Sequence, residues 1–468
     1  MKRLLLIIIT CLISILITYG QSDHGLLKVT PNGHYLQYED GTPFFWLGDT
    51  GWELFHRLTI QEIARYLDNR KSKGFNVIQA VILAELDGVH SSNKYGDYPL
   101  INNNPDKPNE KYFRLVDTVV VMAAKRGITM ALLPAWGDKV TLKYGGKGLV
   151  IFDTANAYRY GKYLGNRYKN ANNIIWILGG DRPPQDDKDD WKPVYAALAK
   201  GLKDGASRHY LTSFHPGGYV WESSVYLHKE DWLDFNMIQS GHSELDQPVW
   251  KTVWRDWHLQ PSKPVLDGEP CYEDHPINPW PTWNPANGYF RDYDVRRQIY
   301  RSVFSGGFGV TYGHHAIWQF YNPSVEKLNH ADRYWYDALD RPGAFQAGYL
   351  KKLILSRLPL NRIPDTTLII SGQGTKNAEH IAAFRDGDGS YAMVYLPVGK
   401  KIEINTALIK AKEIRAWWFN PRTGETEKFF SFKAAKTHWF TPPALGIKND
   451  WVLVLDDAAK QYKEPGSL

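Results

Sequence analysis

NNIIWILGGDRPP, residues Asn172–Pro184, ends an apolar run on a carboxylate. Ile174, Ile175, Ile177 and Leu178 follow without polar alternation, the pattern of a strand buried on both faces. The run stops on Gly179-Gly180-Asp181, where the glycines free the backbone to turn and leave space beside the carboxyl. Asp181 is then either a loop residue capping the next segment or a group presented at the end of a buried strand. The rest of the chain bears on that choice.

Strand-like and helix-like segments alternate on both sides of this stretch. The strand candidates are Phe44–Leu47, Val77–Ala80, Thr129–Leu133, Ile174–Leu178, Tyr210–Thr212, Phe235–Ile238, Pro264–Leu266 and Val310–Tyr312. The clearest helix is Thr59–Lys73, opened by a Thr59/Glu62 capping box and stopped by Gly74. Glu110–Arg126, Thr154–Asn170, Trp191–Lys203 and Asp292–Phe304 read as further helices. This rhythm over residues 21–360 is that of an α/β protein, a (β/α)8 barrel of the TIM type. The rival, an open doubly wound sheet, would usually carry a glycine-rich phosphate loop after its first strand. Leu47-Gly48-Asp49-Thr50-Gly51-Trp52 does not match one.

The pattern changes after about residue 360. Thr367–Ile370, Ile381–Phe384, Tyr391–Leu396, Ile402–Asn405, Ile414–Phe419, Lys428–Phe432 and Trp451–Leu455 are short strands separated by turns such as Asp386-Gly387-Asp388-Gly389. They predict a small β-sandwich over residues 361–468. Trp417 and Trp418 in it are adjacent, and core and interface packing is the favoured reading for both over a surface sugar platform.

Met1–Gly20 has the form of a secretory signal peptide: Lys2 and Arg3, an apolar stretch too short for a comfortable span, then a small-residue cleavage site. Export to the periplasm, cell surface or medium is expected, with no membrane span in the mature protein. Loss of Lys2 and Arg3 lowers the net charge from +6 to +4, too mild to imply nucleic acid. The mature chain keeps one cysteine, Cys271, so an intramolecular disulfide is excluded. Neither a metal-ligand set nor a cofactor motif is visible, and His314-His315 would diverge on a strand. With 18 Trp, 28 Tyr and 19 Phe the chain is rich in aromatics, which suit sugar faces but also large cores. The chain is expected to act as a monomer.

In a barrel the active site gathers where the strands end. Asp49 and Trp52 follow the first strand, Gln79 and Glu85 flank the second, and Trp136 and Asp138 follow the third. Asp181 follows the fourth, His215 the fifth, Gln239 and His242 the sixth. Glu269, with Tyr272, follows the seventh in PVLDGEPCYE, and His314, His315 and Trp318 follow the eighth. Carboxylates, amides, imidazoles and tryptophans without a phosphate loop fit a sugar-cleaving site. Glycoside hydrolysis needs two carboxyls, and Asp181 and Glu269 stand three β/α units apart, facing one another across the mouth. Asp49 either binds a sugar hydroxyl or holds the Gly48–Gly51 turn. Trp136 and Trp318 are read as stacking on substrate, and His215 and His242 as contacting substrate or orienting Glu269. The expected binding set is Asp49, Trp52, Gln79, Trp136, His215, Gln239, His242, Tyr272, His314 and Trp318.

A barrel with its acid/base after the fourth strand and its nucleophile after the seventh is similar to the large clan of retaining glycosidases. Gly180-Asp181 departs from that clan's Asn-Glu. With WLGDTGWELF (Trp46–Phe55), WILGGDRP (Trp176–Pro183) and LDGEPCYE (Leu266–Glu273), it resembles the apiosidase-like glycoside hydrolases of pectin-degrading gut bacteria. The resemblance spans essentially the whole mature chain, including a C-terminal domain likened to collagen-binding ones. It implies Asp181 as acid/base and Glu269 as nucleophile. It also implies the apiose–galacturonate bond of the pectin rhamnogalacturonan II as substrate. An arabinofuranosidase or other glycanase, and a non-catalytic carbohydrate-binding protein, are the alternatives. The last would not need its two carboxyls to converge.

Overall fold

The computed structural model describes residues 24–217 and 221–467; the leader expected over Met1–Gly20 lies outside them. Eight parallel strands form one sheet: β1 Trp46–Thr50, β2 Val77–Leu83, β3 Thr129–Ala135, β4 Ile174–Gly179, β5 Thr212–His215, β6 Asn236–Ile238, β7 Val265–Asp267 and β8 Gly309–Tyr312. Their order is β5-β4-β3-β2-β1-β8-β7-β6, a near-closed barrel. The seam between β5 and β6 is bridged by Asp234: its N–H donates to the Thr212 carbonyl (2.8 Å), and its carboxylate accepts from the Thr212 N–H (2.7 Å). Helices alternate with the strands, among them α1 Ile60–Ser72, α2 Asp292–Phe304 and α3 Pro342–Leu355. The Thr59/Glu62 capping box opens α1 as the sequence predicts. Among the described residues, no helix is long and apolar enough to cross a membrane.

Alternation along each strand sorts its side chains between two cores. Ile175 and Ile177 of β4 point into the barrel with Val77, Val81, Ala131 and Leu133. Ile174, Trp176 and Leu178 pack outward against the helices. The unbroken apolar run therefore reflects burial on both faces. A three-stranded antiparallel sheet (Leu27–Val29, Leu36–Tyr38, Pro43–Phe44) precedes the barrel, and its Leu36 and Phe44 join the interior core with Trp46, the first residue of β1.

The C-terminal region is built from two antiparallel sheets, one of six strands and one of three. Between them lie Ala392, Val394, Leu396, Ile402, Ile404, Trp418, Leu453 and Leu455. The alternate residues of the same strands, Tyr391, Met393, Tyr395, Val452 and Val454, pack on Ile299, Val303 and Leu350 of α2 and α3. Two buried ion pairs, Arg296–Asp450 and Arg357–Asp456, cross the same boundary. Trp418 lies in the sandwich core. Trp417 sits half-buried on the barrel side, its indole N–H donating to Asp456 (3.0 Å). Neither ring is an open platform. The strand Arg362–Pro364, not foreseen because of its proline, pairs at the edge of the larger sheet, where a missing N–H costs no ladder bond.

Candidate active site

The Asp181 and Glu269 carboxyls meet at the C-terminal mouth of the barrel. One oxygen of each, and one ring nitrogen of His215, all lie within 4.8 Å of one another. The first lies just past β4 and the second just past β7, so the predicted convergence holds.

The turn into Asp181 is made by three residues of positive φ: Gly179 (+80°), Gly180 (+123°) and Asp181 itself (+51°). A Cβ on Gly180 would lie 2.6 Å from the Trp136 ring, and one on Gly179 would lie 2.6 Å from the His215 carbonyl. The glycines therefore make room for Trp136 and the β5 backbone. A non-glycine residue at +51° is uncommon, and here it fixes where the carboxyl points. Gln239 Nε2 donates to Asp181 Oδ1 at 2.8 Å.

Glu269 is held from below. Gln79 Nε2 donates to the Gly268 carbonyl (2.8 Å), and the Gly241 N–H donates to the carbonyl of Glu269 (3.0 Å). Two histidines address its carboxylate. His242 Nδ1 accepts the Tyr272 backbone N–H (3.3 Å), which leaves the proton on Nε2, 3.2 Å from Glu269 Oε1. His215 Nδ1 faces the Pro216 carbonyl (2.9 Å), so it donates, while Nε2 lies 2.8 Å from Glu269 Oε2. Burial opposes a charge on the imidazole, but Glu269 and then Asp181 outweigh it and raise the His215 pKa. Asp181, His215 and Glu269 are the one group with ligand-like spacing among the described residues.

The two carboxyls are thereby driven apart. Burial, then the charge of Glu269, raises Asp181 above the usual carboxylate range. Burial acts the same way on Glu269, but the protons of His215 and His242 overcome it and hold that carboxyl well below the range. The shifts favour the proton on Asp181 and the charge on Glu269, the division of labour an acid and a nucleophile require.

The pair opens into a two-lobed cleft. The deep lobe, about 430 Å³, is lined by Trp52, Glu85, Trp136, Asp181, Glu269, Tyr272 and Trp318 among others. The outer lobe, about 350 Å³, is bounded by Tyr144, Arg182, Trp221, Ser243 and Trp280. Tyr144, Asp181, Arg182, Gln239, His242 and Trp280 border both lobes, whereas Glu269 borders only the deep one.

Of the expected binding residues, Trp52, Trp136, Gln239, His242, Tyr272 and Trp318 line the cleft. Trp136 is 1% exposed and packs beside Trp52 and His215, so it is a wall more than an open stacking face. Four others lie elsewhere. His215 and Gln79 are fully buried behind and beneath Glu269, as positioning residues. His314 caps the short His315–Trp318 helix and contacts Asp274 at 3.2 Å. Asp49 is not past the first strand but within it, because β1 runs to Thr50 and alternation turns Asp49 outward. There it takes Tyr66 Oη (2.6 Å) and Arg70 Nε (2.5 Å), both partners of the ion pair being fully buried. Removing one partner strands the other charge, so Asp49→Ala is expected to cost about 3–5 kcal/mol of stability. The expected result is a lower urea midpoint with KM unchanged; a raised KM at unchanged stability would return Asp49 to the site.

Arg182, His275, Trp280, Tyr144 and Lys147 line the cleft without having been foreseen. Arg182 directly follows Asp181, and Trp280 lies in the aromatic loop Pro279–Trp283, so both carried a signal. His275 stacks on His242 (4.0 Å between centroids), a contact that no spacing rule conveys. Glu85 was noted at its strand end but not counted as a binding residue.

A family model described as "Apiosidase-like, catalytic domain" matches residues 30–361, and a model for a collagen-binding domain of a collagenase matches residues 363–456. Among solved structures, a glycoside hydrolase family 5 protein from Bacteroides vulgatus ATCC 8482 is 34% identical, with a TM-score of 0.86 over 94% of this chain and 95% of its own. A structure named only as a glycoside hydrolase is 35% identical, with a TM-score of 0.85 over 94% and 98%. A further protein of the same Bacteroides strain, 15% identical with a TM-score of 0.64 over 93% and 83%, shares the fold. No curated protein matches the chain.

Proposed function

The chain belongs to the apiosidase-like glycoside hydrolases, and from that premise we propose that it is a retaining enzyme cleaving the apiose–galacturonate bond of rhamnogalacturonan II. The observation that carries the retaining mechanism is the approach of the Asp181 and Glu269 oxygens to within 4.8 Å. Retaining pairs stand about 5–5.5 Å apart, while inverting pairs leave about 6.5–9.5 Å for a water. In the first step the Glu269 carboxylate attacks the anomeric carbon as Asp181 gives its proton to the departing oxygen. In the second, Asp181, now ionised, takes a proton from water. That water attacks the same carbon and releases Glu269.

The borders of the two lobes support an orientation for the substrate. The glycosyl residue belongs in the deep lobe, beside the nucleophile. The leaving sugar belongs in the outer lobe, where Asp181 can still reach the shared oxygen. A uronate suits the outer lobe: Arg182 Nη1 holds the Asp181 carbonyl (2.7 Å), and its buried Nε has no protein partner among the described residues. A neutral pentose suits the deep lobe, where the Glu269 carboxylate would repel an acid. Export of such an enzyme to meet pectin, through the leader expected at Met1–Gly20, belongs to the same proposal.

The test is to incubate the enzyme with rhamnogalacturonan II and with arabinan, and to follow products by mass spectrometry and early-time NMR. Release of apiose-terminated side chains with the configuration of the cleaved bond is expected. Arabinose release alone would favour the arabinofuranosidase reading, and an inverted product would recast Glu269 as a base acting through water.

A further inference from the structure

The deep lobe holds a third carboxyl that the two-carboxyl mechanism does not use. Glu85 follows β2 by two residues and lines the cleft with Trp52, Trp136 and Glu269. Its backbone leads into Leu86 and Asp87, both at positive φ (+55° and +65°), successive conformations that L residues seldom adopt. Gly148, from the loop after β3, presses on that turn, since a Cβ there would lie 2.4 Å from Asp87 Oδ1. The half-buried Glu85 carboxyl receives no hydrogen bond and forms no ion pair among the described residues. The other acids around it do have partners: Glu53 has Arg57, Asp138 has Lys139, Asp181 has Gln239, and Glu269 has its histidines. A carboxyl held by a strained turn on the wall of the cleft, with no partner in the protein, is positioned for a ligand.

We propose that Glu85 is a specificity-determining residue of the deep lobe, donating a hydrogen bond from its carboxyl to a hydroxyl of the glycosyl sugar. This rests on the orientation argued under Proposed function. The surroundings keep its proton in place. Burial first, then the charges of Glu53, Asp181, Asp138 and Glu269, raises the Glu85 pKa well above the ordinary value. Of the cations around it, Arg57 is engaged with Glu53 and Lys139 with Asp138, while Arg182 lines the same lobe and the exposed Lys147 reaches it from the rim. Raised means protonated below the shifted value, so the donor is lost as pH rises through it. A protonated acid donates to a hydroxyl and offers nothing to a carboxylate that a cation would not do better. The lobe therefore selects a neutral sugar.

Glu85→Leu keeps the volume and removes the donor; Glu85→Gln keeps a donor and cannot ionise. With the full chain acting on rhamnogalacturonan II oligosaccharide, E85L is expected to lower kcat/KM roughly 10–100-fold, mostly through KM, because the site is built to bond a hydroxyl. E85Q should recover most of that loss. KM of the wild type should climb at alkaline pH, and KM of E85Q should not. Titration of free apiose into the three proteins reads binding without turnover and should show the same order. E85L behaving as wild type in either measurement would overturn the proposal, as would a wild type that binds no apiose. E85Q as impaired as E85L, with both rescued by an aryl glycoside of good leaving group, would make Glu85 a proton donor instead. A wild type that binds apiose but leaves rhamnogalacturonan II intact would defeat the substrate reading and leave Glu85 to the binding arm.

Discussion

Replacing Glu269 abolishes turnover on every substrate, activated leaving groups included. The expected fall in kcat is on the order of 10⁴-fold or more, because a retaining mechanism without its nucleophile has no first step to accelerate. Neither His242 nor Asp181 can substitute: one is a donor with its second nitrogen engaged, and the other has its pKa raised toward the protonated form. The choice of replacement matters. Glu269 is 5% exposed and is the partner of the buried His215, whose pKa it raises. Glu269→Ala would leave that imidazole without its counter-ion, so some stability should go with it. Glu269→Gln preserves the volume and is the cleaner test. Stopped assays with an aryl glycoside, alongside urea melts of both variants, separate loss of chemistry from loss of fold. Near-normal rates in folded Glu269→Gln would remove Glu269 from the reaction.

What was legible in the sequence divides along physical lines. β4 could be read because burial on both faces leaves a run with no polar member, and Gly179-Gly180 marks its end. Tyr391–Leu396 and Trp451–Leu455 carry the same signature, and it has the same meaning: one face covers the sandwich core and the other the barrel helices. A free-standing sandwich would have alternated more strongly, so the docked arrangement was present in the residues but went unread. The meeting of Asp181 and Glu269 followed from strand counting, since barrel geometry sets which strands face one another. Asp49 failed for the opposite reason. A shift of three residues in a strand end, from Leu47 to Thr50, draws Asp49 into the strand, and alternation then decides the face it occupies. Strand ends are the least determined feature of a sequence, and a charged residue such as Asp49 reads as a stop even where the strand runs on. Arg182 and Glu85 needed the cleft itself, because their value to the site lies in unmade hydrogen bonds. The raised pKa of Asp181 owes more to burial than to the neighbouring charge of Glu269, and burial at a loop residue is a tertiary fact.

Asp181→Ala should divide substrates by leaving group. Sugar leaving groups need the proton, and general acid catalysis contributes about 10²–10⁴-fold, so cleavage of the pectic bond falls by that factor. An aryl glycoside with an acidic phenol departs without help, so the first step survives and only the second, deprived of its base, is slow. The glycosyl-enzyme on Glu269 then accumulates, visible as a burst of phenol and as an added sugar mass on the intact chain. Azide, a nucleophile that needs no deprotonation, should speed its breakdown and give a product of retained configuration. The pH profile supplies the independent check. Wild-type activity requires Glu269 ionised and Asp181 protonated. Glu269 sits far below the usual range, so its limb lies in strong acid. Asp181 is raised, so activity declines as pH climbs through its shifted value. In Asp181→Ala that alkaline limb should vanish from the aryl-glycoside first step, while the acid limb stays. An unchanged alkaline limb in the variant would assign the proton to another group, and Glu85, the remaining raised carboxyl of the deep lobe, would be the group to replace next.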